Sequence, residues 1–387
     1  MNQSNSLIAL HRIGPYHHAR FQAAARLIDL QVLETRPSSQ EYPWQFQTDA
    51  DYGLHQLSCQ LTSEADPPLP ELDPQLAELL DELQPQVVVS VGWADRAYQR
   101  LLIACHKRRI PIVIVSDSRQ RDEPRSAAKE WIKRQLLRGY SAALVAGSES
   151  RAYLTQLGFP AGAISQPWDV VDNDLFAAAA SAPATGPVSP HFLCVSRLVE
   201  KKNHRGLLAA FATYQHQGGS WGLTLIGSGS LEPELRQAIT QLPDPSRVTL
   251  QPFQQLHDLK ASYAQASAFV LASSTDQWGL VVNEAMAAGL PCLVSNACGC
   301  AVDLIDHGRT GWCFDPSDPK ALAGLMHQAE RQSPQARAAM QQAARHRLEA
   351  FTLESFAAGL CQSVSCAQRM PRRSRRAALI ADLLSRR

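Results

Sequence analysis

An α/β architecture of two doubly wound, Rossmann-like parallel sheets is predicted by three observations. Short apolar runs of strand length alternate with helical stretches along the chain, four of them before residue 150 and five after residue 190. Between the two sets lies QPWDVVDNDLF (166–176), followed by AAAASAPATGPVSP (177–190), whose small residues and prolines read as a linker. The length of 387 residues fits two or three domains at roughly 150 residues each.

In the first half, LIALHR (7–12), QPQVVVSVG (84–92), IPIVIVSDS (110–118) and YSAALVAGS (140–148) are apolar enough to be covered on both faces, as strands of a parallel sheet are. Gly14-Pro15 breaks the first run, and Tyr16 onward reads as helix, as does SAAKEWIKRQLLR (126–138). In the second half the strands are HFLCVS (191–196), LTLIGS (223–228), VTLQPF (248–253), AFVLASS (268–274) and PCLVSN (291–296). The expected division is an N-terminal domain over 1–170, a linker over 171–190, a second domain over 191–350 and a helix with a basic tail over 351–387. Ligands of open α/β sheets bind beyond the strand carboxyl ends, so two such domains facing each other predict a cleft.

Composition narrows the classes of function. Thirty-seven basic against 36 acidic residues leave a formal charge of +1, which argues against a general nucleic-acid binder. The N-terminus lacks the basic and apolar regions of a signal peptide, and no 18-residue uncharged apolar stretch occurs, so a soluble cytoplasmic protein is expected. Nine cysteines in mostly apolar or glycine-rich surroundings read as reduced thiols. Cys298-Gly299-Cys300 lacks the spacing of a structural zinc site, and Asp49-Ala50-Asp51 lies in a polar loop with no strand ahead. No metal site is predicted.

The most informative segment is TDQWGLVVNEAMAAGLP (275–291). Gly279 permits a tight turn, a helix runs from Leu280, and Gly289 with Pro291 stops it. The unpaired N–H groups at that helix start form an anion site suited to a diphosphate. Glu284, roughly 7 Å along the axis at about 1.5 Å per residue, can reach vicinal hydroxyls, and Asp276 can grip a second polyol. The plainer readings are a cap for Asp276 and a solvated face for Glu284, yet Val281, Val282, Ala285 and Met286 make that helix apolar nearly all round. Upstream, Arg197 and Lys202 follow the strand HFLCVS: a planar fork and a mobile point charge that can hold a diphosphate from two sides, or else a solvated basic loop. The strand LTLI runs into Gly227-Ser228-Gly229, by itself an ordinary turn.

The segment around Asp276 and Glu284 resembles the donor-site signature of retaining GT-B glycosyltransferases of family four, where two Glu residues are separated by seven others. Here Asp276 stands in the first position, Gln277-Trp278 replaces the usual Pro-Phe and is expected to reshape the sugar pocket, Lys201 replaces a Glu, and Asn203 replaces a Gly. The resemblance implies the GT-B fold and transfer of a sugar from a nucleoside diphosphate to an acceptor hydroxyl with retention. It implies no required cofactor or metal and no protein nucleophile, in polysaccharide, glycolipid or other glycoconjugate synthesis. Arg197, Lys202 and Asp276 are the implied catalytic groups. Gly14, Gly227, Phe253, Gly279, Leu280 and Glu284 are the implied donor contacts, Phe253 framing the base and Gly14 approaching the phosphate.

On the acceptor side His17, His18 and Arg20 fall in a first helical turn expected to face the cleft, although adjacent histidines make a poor metal pair and suit a cap region better. Many members of the resembled family place a cleft-facing His after a later strand of this domain, but no His follows IPIVIV here. Asp117 takes that place or caps the next segment, and Arg119, Arg121 and Arg125 beside it are a candidate anion site. The acceptor is a sugar, a lipid-linked sugar or another small molecule. From Arg369 to Arg387 seven Arg and one Asp are interleaved with apolar residues, a composition that can rest on the inner face of an anionic membrane, lie against a partner or stay solvated. Two further classes share the nucleotide grip: a sugar-nucleotide epimerase and a non-catalytic partner of a transferase.

Overall fold

The computed structural model describes residues 4–36, 44, 49–57, 68–180 and 189–386. The chain divides into two compact units, Met1–Val170 with Leu353–Arg387, and Val171–Thr352.

Unit 1 is a sheet of seven parallel strands: β1 (Asn5–Leu10), β2 (Asp29–Glu34), β3 (Gly53–Gln56), β4 (Val87–Val91), β5 (Ile112–Ser116), β6 (Ala142–Val145) and β7 (Ile164–Ser165). Helices α1 (Pro15–Ala25), α2 (Leu69–Leu83), α3 (Arg96–Arg108), α4 (Ala127–Leu137) and α5 (Ser148–Gln156) connect them. The order is β3-β2-β1-β4-β5-β6-β7, so the winding reverses between β1 and β4, which pair from Ser6 with Val87 to Ala9 with Ser90.

Unit 2 starts with α6 (Asn173–Ala180) and continues with β8 (His191–Val195), α7 (His204–His216), β9 (Gly222–Ile226), α8 (Glu232–Ile239), β10 (Val248–Gln251) and α9 (Leu256–Gln265). It ends with β11 (Ala268–Leu271), α10 (Leu280–Ala287), β12 (Cys292–Ser295), α11 (Cys300–Leu304), β13 (Trp312–Phe314), α12 (Pro319–Glu330) and α13 (Pro334–Leu348). Its six parallel strands run β10-β9-β8-β11-β12-β13, with the reversal between β8 and β11. Those two pair only at Ala268–Phe192 and Phe269–Leu193, and their carboxyl ends run on unpaired to each other. Phe192, Leu193, Leu225, Val270 and Leu293 are fully buried between the helical layers, each burial contributing about 1.5–3 kcal/mol.

The nine apolar runs all form strands, while β2, β3, β7 and β13 were not expected. They are short or only half covered, as β3 with its alternating burial is, so no continuous apolar run marks them. Two further expectations are corrected. The supposed linker 171–190 opens with α6, because its alanines favour helix and Phe176 buries against Tyr263 in an edge contact with ring centroids 5.6 Å apart. The rest of that run, residues 181–188, lies outside the described residues.

The C-terminal stretch is a docked pair of helices rather than a solvated tail. Helix α14 (Leu353–Arg369) buries Phe356, Leu360 and Val364 and packs on α1 and β6. Helix α15 (Arg375–Ser385) lies against α3 and α4, with Ala377 and Ala381 allowing close approach, and Arg100 of α3 pairs with Asp382 at 2.5 Å and with Asp73. No helix among the described residues is long and apolar enough to cross a membrane. The eight described cysteines are free thiols, and Cys59 lies outside the described residues.

Candidate active site

At the carboxyl edge of the unit 2 sheet the strand ends stand in spatial order, Phe253 past β10, Gly227 past β9, Arg197 and Lys202 past β8, Asp276 and Gly279 past β11. Gly227 has φ +153°, and a Cβ there would lie 1.9 Å from the Ser196 carbonyl oxygen. The glycine therefore serves the close packing of the β9 turn on the β8 loop, which Leu198 N–H reinforces by donating to Ser228 O at 2.9 Å. On the other side Phe253 N–H donates to Ser228 Oγ at 3.1 Å, so three strand-end loops form one shelf.

Lys202 closes a short 3-10 turn, Glu200–Lys202, and Asn203 follows in the left-handed region at φ 53°. A Gly-like conformation at this position explains how Asn, which tolerates it, can stand where the resembled signature has Gly. Asn203 also supplies bonds Gly cannot: its Nδ2 donates to Ala272 O (3.1 Å) and Pro316 O (3.0 Å), and its Oδ1 accepts from Gly206 N–H (3.2 Å), capping α7. Ser274 N–H donates to Lys201 O at 2.9 Å. The β8 and β11 loops are thereby laced together, and Lys202 Nζ donates to Asp276 Oδ2, which also accepts from Ser273 Oγ at 3.4 Å. Cation and carboxylate meet where the sheet reverses, the position at which such sheets bind ligands. Behind them the buried His204 shares a 2.9 Å bond with Ser196 Oγ, and its Nδ1 has no partner among the described residues. Burial, then the charge of Lys202, pushes its pKa down to about 4, so its ring is neutral.

Gly279 caps α10 at φ +102°, and no side chain caps that helix. Its first N–H groups therefore keep their anion-binding capacity beside Asp276, whose carbonyl accepts from Gly299 N–H at 2.9 Å. That bond places the Cys298-Gly299-Cys300 loop as a brace under Asp276. Leu280 is half-buried at the first turn, and Glu284 is 1% exposed inside the helix. Trp278 has a structural part in the site. It is buried, donating from Nε1 to Asn283 Oδ1 (2.9 Å) and packing on Phe351, and so braces the start of α10 from within.

In unit 1 the expected acceptor-side residues are spent largely on structure. Gly14 caps α1 and its N–H donates to His17 Nδ1 at 3.3 Å, while His18 bonds Tyr52 OH at 2.9 Å. Burial depresses the pKa of both histidines, assisted at His17 by Arg20. Arg20, expected to face a cleft, is buried, because its guanidinium donates to Trp168 O (2.8 Å) and lies 3.6 Å from Asp169. Asp117 lies just past β5 and its carbonyl accepts from Ser150 Oγ at 2.9 Å. The neighbouring arginines do not form an open anion site. Arg119 is buried between Asp122 (2.8 Å) and Glu149 (3.0 Å), Arg121 bonds Glu149, and Arg125 lies over the Tyr153 ring. Sequence reasoning missed His11 at the end of β1. Its Nε2 is 3.2 Å from Asp95, its ring stacks on Tyr98 at 5.2 Å, and Arg36 holds Asp95 from the other side at 2.5 Å. The strand-end position of His11 was the available signal, but Asp95 lies too far along the chain for spacing to reveal the pair.

Two doubly wound units of this kind define the GT-B glycosyltransferase fold. Among solved structures, that of Anabaena HepE in complex with UDP superposes with a TM-score of 0.73 at 18% identity, covering 93% of this chain and 99% of that one. Residues 184–347, which lie within unit 2, match the family model Glycosyl transferases group 1. The chain is 36% identical over 140 residues to the amylovoran biosynthesis glycosyltransferase AmsK of Erwinia amylovora, 35% of this chain and 34% of that protein. It is 32% identical over 148 residues to the putative colanic acid biosynthesis glycosyltransferase WcaL of Escherichia coli K12, 36% of each chain. The matched stretch thus spans about a third of the length of these curated relatives.

Proposed function

We propose that this protein transfers a sugar from a nucleoside diphosphate to an acceptor hydroxyl with retention at the anomeric carbon, in the assembly of a polysaccharide or other glycoconjugate. One observation carries the reading: the Lys202–Asp276 pair at the sheet reversal, beside the uncapped start of α10. Lys202 and Arg197 would receive the diphosphate together with the α10 amides, Asp276 and Glu284 would hold the hydroxyls on either side, and Phe253 would border the base. The UDP in the HepE complex and the polysaccharide names of the two relatives support the substrate class.

The bond from the anomeric carbon to the diphosphate oxygen breaks as the bond from the acceptor oxygen forms on the same face. The acceptor proton passes to the departing phosphate, so the protein supplies no nucleophile. Cations and amides that meet the leaving group gain strength as its charge develops, which lowers the barrier rather than merely tightening ground-state binding.

Thermal unfolding with a panel of uridine, guanosine and adenosine diphosphate sugars tests the donor. The right one should stabilise by about 2.7 kcal/mol at roughly a hundredfold excess over its Kd. With that donor and an acceptor, NMR of the product should show the donor's anomeric configuration. An isomerised donor sugar released without acceptor, or no stabilisation by any member of the panel, would overturn the proposal.

A further inference from the structure

Helices α4 and α15 pack side by side in unit 1 and share an outward face that the transferase reading leaves unused. On α15, Arg376, Leu379, Leu383 and Arg386 recur at helical spacing and form one stripe opposite the buried Ala377, Ala381 and Ser385. Leu379 and Leu383 are 60% and 57% exposed. On α4, Trp131 is 48% exposed, and Arg134 and Arg138 follow it at the same spacing. The Arg376 guanidinium lies 5.2 Å from the Trp131 ring centroid, joining the two stripes.

The charge on this face is one-sided. The carboxylates carried by the two helices are engaged by neighbours, Glu130 by Lys133 and Asp382 by Arg100 and Arg386. Arg134, Arg138, Arg375 and Arg376 have no carboxylate partner among the described residues. A protein-docking patch is usually depleted of charge at its centre, whereas here cations alternate with a tryptophan and two leucines. That mixture suits a lipid headgroup region, where the indole sits at the boundary, leucines enter it, and arginine stems lie on apolar surface while their heads meet phosphate.

We propose that the α4–α15 face docks this protein on an anionic lipid surface, Trp131, Leu379 and Leu383 entering the boundary and the four arginines meeting lipid phosphates. The inference does not depend on the transferase reading. Sedimentation of the full chain with vesicles, either of phosphatidylcholine alone or with phosphatidylglycerol, tests it at low and high salt. Binding should require phosphatidylglycerol and weaken with salt. The double variant Leu379→Ser with Leu383→Ser should bind at least about tenfold less. Arg375→Gln with Arg376→Gln should lose roughly fivefold per charge. Because all four side chains are exposed, an unchanged melting temperature separates lost docking from lost folding. Failure of the wild type to sediment with phosphatidylglycerol vesicles, or equal binding to both kinds, would overturn the proposal. So would a dimer that the leucine double variant dissociates, since the face would then belong to a second copy.

Discussion

The two units wind their sheets in the same order about the first strand, yet they treat the point of reversal differently. In unit 1, β1 and β4 stay paired over four residues, Asp95 caps α3 by accepting from Ala97 N–H at 2.8 Å, and His17 serves the start of α1. In unit 2, β8 and β11 part after two pairs, and α10 opens on a bare glycine. Under the proposed function the diphosphate is received at the reversal whose central strands part after two pairs and whose adjoining helix, α10, carries no side-chain cap. A cap satisfies the same amides a phosphate would otherwise take.

The largest effect is expected of Lys202→Ala. If the unit 2 reversal holds the leaving group, turnover should fall by about a hundred- to a thousandfold, read as kcat with the identified donor. A loss confined to KM would mean that Lys202 only binds ground-state donor. Next in size is Asn203. Asn203→Ala forces an alanine into the left-handed region and removes three hydrogen bonds, so a loss of about 2–3 kcal/mol is expected in urea unfolding. Asn203→Gly keeps the backbone conformation and should recover part of that stability while leaving Lys202 less firmly placed, visible as lower kcat. Smallest is the unit 1 counterpart. Asp95→Ala removes the α3 cap and the carboxylate that Arg36 and His11 meet, and should cost about 1–2 kcal/mol without altering nucleotide affinity. A drop in donor affinity there would erase the contrast between the two reversal points.

Most of the fold was legible because parallel strands covered on both faces leave continuous apolar runs, as in VVVSV and IVIVS. The four missed strands sit where that cover is partial or the run too short, β7 having only two residues. In unit 2 the alignment of Lys202 with Asp276 could be anticipated, since strand-end residues next to a reversal must converge. What they bond to could not. The lacing by Asn203, the brace of Trp278 on Asn283 and the Gly299 bond to Asp276 join residues whose partners are set by tertiary packing rather than by spacing. In unit 1 charge misled. Arg20 reads as facing a cleft and Arg119 as part of an anion site, but their partners, the Trp168 carbonyl and Asp122 with Glu149, lie within the protein. A sequence displays cations, and only the fold tells which are already engaged.

The return of residues 353–387 to unit 1 has a consequence for synthesis. During translation the whole of unit 2 emerges before α14 and α15 become available, so the surfaces of β6, α1 and α3 that those helices cover must wait, wet and unfinished, until residues 353–386 have been made. Unit 1 is begun before unit 2 and completed after it, and a stop just past Thr352 would strip the cover from strands and helices made about two hundred or more residues earlier.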